Sequence, residues 1–101
     1  MKMHKVSMVR IYLTEGEGVA QKLFQRLHDQ ERIRGVTLFR GISGFGSSGR
    51  IHSASLLDTS LNLPLVLEFF DDPERIDKVL EHMQDEIQPG HLVRWLAEIN
   101  E

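Results

Sequence analysis

The chain has 101 residues, no cysteine and a formal net charge of −3, with 12 basic against 15 acidic side chains. One domain of this length can bury a hydrophobic core, the lack of cysteine excludes disulfides and thiolate zinc sites, and the acidic balance argues against a nucleic-acid partner. No signal peptide or membrane-spanning run is evident, so we expect a single cytoplasmic domain over residues 1–101.

The first third of the chain changes from a period of two to a helical period. Residues 6–13 alternate between apolar and other side chains, which predicts a strand. Apolar residues then recur at helical spacing over 19–33. We place Glu15 and Glu17 before the helix N-terminus, where acids are favoured, and Gly35 at the helix end.

A second strand, a long irregular segment and a third strand follow. Residues 36–42 are rich in β-branched and aromatic types and predict a strand, as do residues 64–70. Between them, residues 43–63 are rich in glycine and serine and have no clear period. We expect a mobile loop at about 46–63, because loops longer than about 12–15 residues in a compact domain are usually functional or mobile. The alternative is a surface loop packed on its own domain.

The last third of the chain predicts a helix and a strand. Asp72 is a good N-cap and Pro73 suits the first helical position, whereas Pro89 and Gly90 end the helix. Residues 91–99 alternate again. The order β-α-β-β-α-β predicts an α+β, ferredoxin-like sandwich, a four-stranded antiparallel sheet with two helices on one face.

This arrangement leaves the second face of the sheet without a helix to cover it. Some of the strand residues must lie there, and the candidates are Arg10, Tyr12, Arg40, Glu68, Arg94 and Glu98, with Met8, Phe70 and Leu96 nearby. Because that mixture is not fully polar, we expect a second subunit on this face.

The segment RGISGFGSSGR, residues 40–50, is the most informative stretch for function. It carries four glycines between two arginines, namely Arg40, Gly41, Gly44, Gly46, Gly49 and Arg50. Glycine lets the backbone approach a ligand, successive N–H groups hold anions, and guanidinium groups bind phosphate. The alternative interpretation is a turn that needs glycine only for its geometry. The G-x-G-x-x-G letters at 44–49 open no helix, so a dinucleotide fold is not indicated.

Other constellations in the sequence are weaker. The five histidines have no metal-ligand spacing. His52 and His91 fall at positions where a phosphate or a metal could lie. Ser43 is outside any nucleophile motif, and no acid–base pair is evident, so we expect no enzyme activity.

With these elements assigned, the chain resembles a known family over nearly its whole length. The stretches that carry the resemblance are VRIYL, GVTLFRGISGFG, HSASLLDTSLNLPLVLEF and DDPERI. They are similar to domain of unknown function family 190, also called uncharacterised protein family 0166, of the PII-like superfamily. The resemblance implies a ferredoxin-like homotrimer packed through its open sheet faces. It also implies a regulatory protein whose long loop contacts a partner such as a membrane transporter or channel.

The resemblance further implies an adenine nucleotide bound between subunits, near the base of that loop. The corresponding positions are Arg40, Gly41, Gly44, Phe45, Gly46, Arg50, His52, Gly90 and His91. PII proteins carry a basic phosphate-binding turn after the second helix and in some cases a modifiable loop tyrosine. Here Pro89 and Gly90 have no basic neighbour, and Tyr12 is the only tyrosine. We therefore expect AMP or ADP rather than a triphosphate.

Two alternatives stay open beside the nucleotide hypothesis. The first is a divalent-metal-responsive trimer, similar to the copper-tolerance branch of the superfamily, with His52, His91 and an acid such as Asp58 or Glu68 as ligands. The second is an oligomeric scaffold without a ligand.

Overall fold

The computed structural model describes residues 1–53 and 62–101. The strands are β1 (Met3–Thr14), β2 (Gly35–Arg40), β3 (Ser43–Gly44), β4 (His52–Ser53), β5 (Pro64–Asp71) and β6 (Leu92–Asn100). The helices are α1 (Val19–Asp29) and α2 (Pro73–Met83), and a 3₁₀ turn at Gln84–Glu86 follows α2. Within the described ranges, the structure contains no helix with the length and hydropathy needed to span a bilayer. Residues 54–61 of the predicted 46–63 loop, with Asp58, lie outside these ranges.

Four of the strands form one antiparallel sheet in the order β2-β5-β1-β6. The short strands β3 and β4 pair separately as a ribbon, with Ser43 opposite Ser53 and Gly44 opposite His52. The predicted ferredoxin-like α+β fold is therefore confirmed. Strands of two residues are too short to show a period, which is why the sequence predicted only irregular chain there.

Both helices pack against one face of the sheet and form the core with it. On the central strands, Val9, Leu67 and Phe69 have no exposed surface, and on the helices Leu27 and Ile76 are equally buried. Burying one such side chain contributes about 1.5–3 kcal/mol. The alternation predicted for β1 is confirmed, because Val9 and its alternate neighbours face the helices.

The open face carries the other set of strand side chains. In the register of β1 with β5 and β6, Met8 lies opposite Phe70 and Trp95, and Arg10 lies opposite Glu68 and Val93. Arg10 Nε donates to Glu68 Oε1 at 2.8 Å, and the guanidinium lies 5.5 Å from the centre of the Trp95 ring. The face is thus largely apolar around one ion pair.

Four of the residues named for the open face belong to the opposite side of the strands. Strand alternation places Arg40, Arg94, Leu96 and Glu98 on the side of the helices. Arg94 donates to Ser7 Oγ at 3.0 Å and to Asp77 of α2 at 2.6 Å. The prediction for these residues was open because sequence periodicity does not say which face the helices cover.

Helix α1 is shorter than predicted. It ends at Asp29 instead of residue 33, and Arg32 adopts a positive φ of 51° in the turn that follows. Gly35 begins β2 and does not stop the helix. A Cβ atom at Gly35 would lie 2.3 Å from Cε1 of Phe70, so the glycine is explained by close packing against that ring.

Helix α2 begins where the sequence predicts and ends earlier. Pro73 is its first residue, and the helix stops at Met83, before the 3₁₀ turn. Pro89 and Gly90 therefore lie in the turn that leads to β6. The Asp72 carboxylate bonds His4 Nε2 at 2.5 Å rather than the helix amides.

Candidate functional site

A pocket of about 590 Å³ lies beside the glycine-rich segment at one end of the sheet. It is lined by residues 12–14, 41, 43–48, 52, 64–66 and 89–91. Two stretches far apart in the sequence, the glycine-rich segment and the turn before β6, therefore share one cavity. Of the sequence-predicted site residues, the pocket brings together Gly41, Gly44, Phe45, Gly46, His52, Gly90 and His91.

Close packing on Pro64 forms one wall of this pocket. The Gly41 amide donates to the Pro64 carbonyl at 2.7 Å. A Cβ atom would lie 2.9 Å from Pro64 Cγ if placed at Gly41, and 3.2 Å if placed at Gly44. These two glycines are explained by the approach of the backbone to the proline ring.

Gly46 differs from the glycines of that wall. A Cβ atom placed there would have no heavy atom of the described residues within 4 Å. Gly49 has a φ of 74°, and its amide donates to the Gly46 carbonyl at 2.9 Å, which closes a tight turn. The backbone at Gly46 therefore borders open space on the pocket side, where a ligand can approach it.

His91 is held in one orientation by β1. Its Nδ1 atom lies 2.8 Å from the Tyr12 carbonyl, and the Tyr12 amide donates to the His91 carbonyl at 2.8 Å. Because a carbonyl only accepts hydrogen bonds, Nδ1 carries the proton and Nε2 of the neutral ring is an acceptor. His91 is thus suited to bind a hydroxyl or amine donor of a ligand.

The two arginines of the segment do not line the pocket. Arg40 Nε lies 2.6 Å from Glu15 Oε2, and its NH2 atom donates to Glu15 Oε1 at 2.8 Å. The hydrogen bond to Glu15 raises the pKa of the Arg40 guanidinium. Arg50 is exposed in the connection between β3 and β4. The predicted role of Glu15 near a helix N-terminus is wrong, because its carboxylate binds Arg40 and α1 begins only at Val19.

The metal alternative finds no complete ligand set in the described part of the chain. His52 and His91 share the pocket, whereas Glu68 binds Arg10 on the open sheet face. Within residues 1–53 and 62–101, no cluster of three or more histidine or acidic side chains has the geometry to hold a metal ion. The prediction for Asp58 falls outside those ranges.

Several polar pocket residues were missed by the sequence analysis. Ser43, Ser47 and Ser48 bring hydroxyl groups to the lining, and Tyr12 brings a phenol ring. The serines stand among the glycines of the segment, which was a usable signal, since hydroxyl and amide donors together bind phosphate. Tyr12 carried no such signal, because a lone tyrosine in a strand is most simply read as a packing residue.

Comparison with known proteins places the chain in a family. The family DUF190, described as Uncharacterized ACR, matches residues 6–99. A UPF0166 protein of Methanocaldococcus jannaschii is 30% identical over 95 residues, which cover 90% of this chain and 87% of that protein. A UPF0166 protein of Aquifex aeolicus is 32% identical over 88 residues, covering 83% of this chain and 84% of that protein.

A solved structure shows the same fold. CPII, a nitrogen regulatory PII-like protein from Thiomonas intermedia K12 bound to ADP, AMP and bicarbonate, matches with a TM-score of 0.70. The match covers 99% of this chain and 100% of that chain at 20% sequence identity, a level at which the likeness establishes the fold. The chain therefore belongs to the DUF190 family, together with its UPF0166 relatives, and has the PII-like, ferredoxin-like fold.

Proposed function

We propose that this chain is a PII-like regulatory protein that binds an adenine nucleotide, AMP or ADP, in the pocket beside the glycine-rich segment. The observation that carries the proposal is the cavity shared by residues 41–48 and 89–91. Its volume of about 590 Å³ lies within the usual range for small-molecule sites. The structure of CPII with ADP and AMP supports the same ligand class, since that protein shares the fold.

The pocket chemistry favours a nucleotide of low charge. The hydroxyl groups of Ser47 and Ser48 are donors for phosphate oxygens, and His91 Nε2 accepts from a ribose hydroxyl or the adenine amine. Phe45 and Tyr12 offer aromatic surface to the base. Among the described residues, those lining the pocket include no lysine or arginine, which favours AMP or ADP over a triphosphate.

The proposed assembly is a homotrimer packed through the open sheet face. Tyr12, Phe39, Val93 and Trp95 of this face each leave between 37% and 47% of their surface exposed. Tyr12 also lines the pocket, so the open face and the pocket are continuous. A neighbouring subunit on this face would therefore add side chains to the nucleotide site.

The proposed regulation acts through the 46–63 segment, whose ends border the pocket. A nucleotide changes the arrangement of a segment only by binding one arrangement more tightly than another. Ile42, Phe45 and Ile51 leave 80%, 75% and 68% of their surface exposed. These side chains are the described candidates for contact with a partner, which we propose is a membrane transporter or channel.

Isothermal titration of the intact chain with AMP, ADP and ATP tests this function. We expect heat with AMP or ADP and weaker binding of ATP. Gly46→Val places atoms in the open space beside the backbone, so it lowers AMP affinity about tenfold or more without changing the melting temperature. Gln21→Ala, on the exposed surface of α1, is the control and leaves binding unchanged.

Two results contradict the proposal. If no nucleotide gives heat at millimolar concentration, the ligand-free scaffold becomes the better hypothesis. If AMP binds and Gly46→Val binds it as tightly as the wild type, the nucleotide site lies elsewhere in the molecule.

A further inference from the structure

Glu15 joins the two ends of the segment that connects β2 to β5. Its amide donates to the carbonyl of Leu63, immediately before β5, at 2.8 Å. Its carboxylate binds Arg40, the last residue of β2, through contacts of 2.6 and 2.8 Å. One residue of the β1–α1 turn thus holds both the entry and the exit of the segment.

The geometry of the pair keeps Arg40 bound to Glu15. The carboxylate is only 15% exposed, whereas the guanidinium side chain is 56% exposed. Two parallel N–H···O contacts form the strong, planar type of arginine–carboxylate pair. If Arg40 turned to a ligand, it would leave a mostly buried carboxylate without its charged partner, which is strongly unfavourable.

The pocket wall begins directly after this pair. Gly41 follows Arg40, and its amide donates to the Pro64 carbonyl at 2.7 Å, next to Leu63. The Glu15–Arg40 contact and the two backbone hydrogen bonds therefore meet at one corner of the fold. A shift of Arg40 moves Gly41, and with it the wall that Gly41 and Gly44 form against Pro64.

We propose that Glu15 and Arg40 are a positioning pair that holds the base of the segment and shapes the nucleotide pocket, without Arg40 contacting the ligand. The nucleotide part of this inference rests on the proposed function, whereas the positioning part stands on the contacts of the free protein.

The experiment compares Glu15→Gln, Arg40→Met and the double variant by amide hydrogen exchange and by titration with AMP. Each single variant raises exchange at the Glu15 and Gly41 amides about tenfold and weakens AMP binding about tenfold. Because the two side chains act as one unit, the double variant changes both quantities no more than either single variant does. Arg40→Lys, which keeps the charge, restores part of the loss and replaces Arg40→Met if that variant does not fold.

Glu86→Gln is a matched control, because it removes another arginine–carboxylate contact, the 2.6 Å pair with Arg26. It leaves exchange at Gly41 and AMP binding unchanged. Tighter AMP binding by Glu15→Gln would overturn the proposal, since Glu15 would then compete with the ligand for Arg40. Unchanged exchange in both single variants, or additive effects in the double variant, would overturn it too. If the wild type binds no AMP, the proposed function fails, and the exchange measurements still decide the positioning role.

Discussion

The two faces of the sheet use the same strands for different purposes. On the covered face, Val9 and Leu67 have no exposed surface and pack against both helices. On the open face, Tyr12 and Val93 leave 43% and 47% of their surface exposed. Alternation along each strand therefore divides one apolar sequence into a set that folds the chain and a set that the single chain does not bury. Exposed apolar surface of this kind is typical of interaction sites.

Phe69→Ala tests the covered face and has the largest expected effect. The side chain is fully buried between the sheet and the helices, so its removal lowers the free energy of unfolding by about 3–5 kcal/mol. Urea unfolding followed by circular dichroism measures the change. Phe39→Ala on the open face, at 46% exposure, should lower it by less than about 1 kcal/mol under dissociating dilution. Equal losses would contradict the division between the faces.

Val93→Glu tests the open face. Arg10 lies opposite position 93 on β1, so a single chain tolerates the new carboxylate. At an interface between subunits the same charge is desolvated, and we expect association to weaken by about 10- to 100-fold. Size-exclusion chromatography with light scattering measures the change from oligomer to monomer. A wild-type protein that is monomeric at all concentrations would refute the proposed assembly.

The pocket, where the open face ends, allows a comparison of two glycines. Gly41→Ala brings Cβ to 2.9 Å from Pro64 Cγ, so we expect a loss of about 1–3 kcal/mol in unfolding free energy. Gly46→Ala meets no described heavy atom within 4 Å and should leave stability nearly unchanged. Thermal unfolding of the two variants measures the difference. Similar melting temperatures would show that the wall against Pro64 yields easily.

The smallest expected effect is at the far edge of the sheet, where His4 binds Asp72. The hydrogen bond from His4 lowers the pKa of Asp72, and the charges of Arg34 and Arg75 add to the effect. The folded pKa thus lies below the unfolded value of about 3.9. The carboxylate therefore contributes stability above that value, and the contribution is lost as the pH falls through the folded pKa.

We accordingly expect the wild type to be more stable than His4→Ala at about pH 6 and to lose this lead toward about pH 3. Thermal unfolding over that range measures it. In an Asp72→Asn background, His4→Ala should have no acid-dependent effect, and a pH dependence that persists there would assign the titration to another group.

Local patterns predicted most of the fold. Period two over β1 and β6, helical spacing in α1 and α2, and the Asp72–Pro73 helix start depend on near neighbours, so the sequence shows them directly. The ends of the helices were less predictable. Helix α1 stops at Asp29, because Arg32 leaves the helical conformation in the turn before β2. Likewise, Gly35 was explained by contact with Phe70, a residue far along the chain.

The sequence by itself determined the order of strands and helices and the glycine-rich segment with its histidine and serine neighbours. Only the tertiary structure decided that Glu15 binds Arg40, that Arg94 and Leu96 lie on the helix side, and that residues 89–91 join the pocket. The physical reason is range: hydrophobic period and turn chemistry act between neighbours in the chain. Ion pairs and pocket walls depend instead on strand register and on which face the helices cover, and both are set when distant segments pack together.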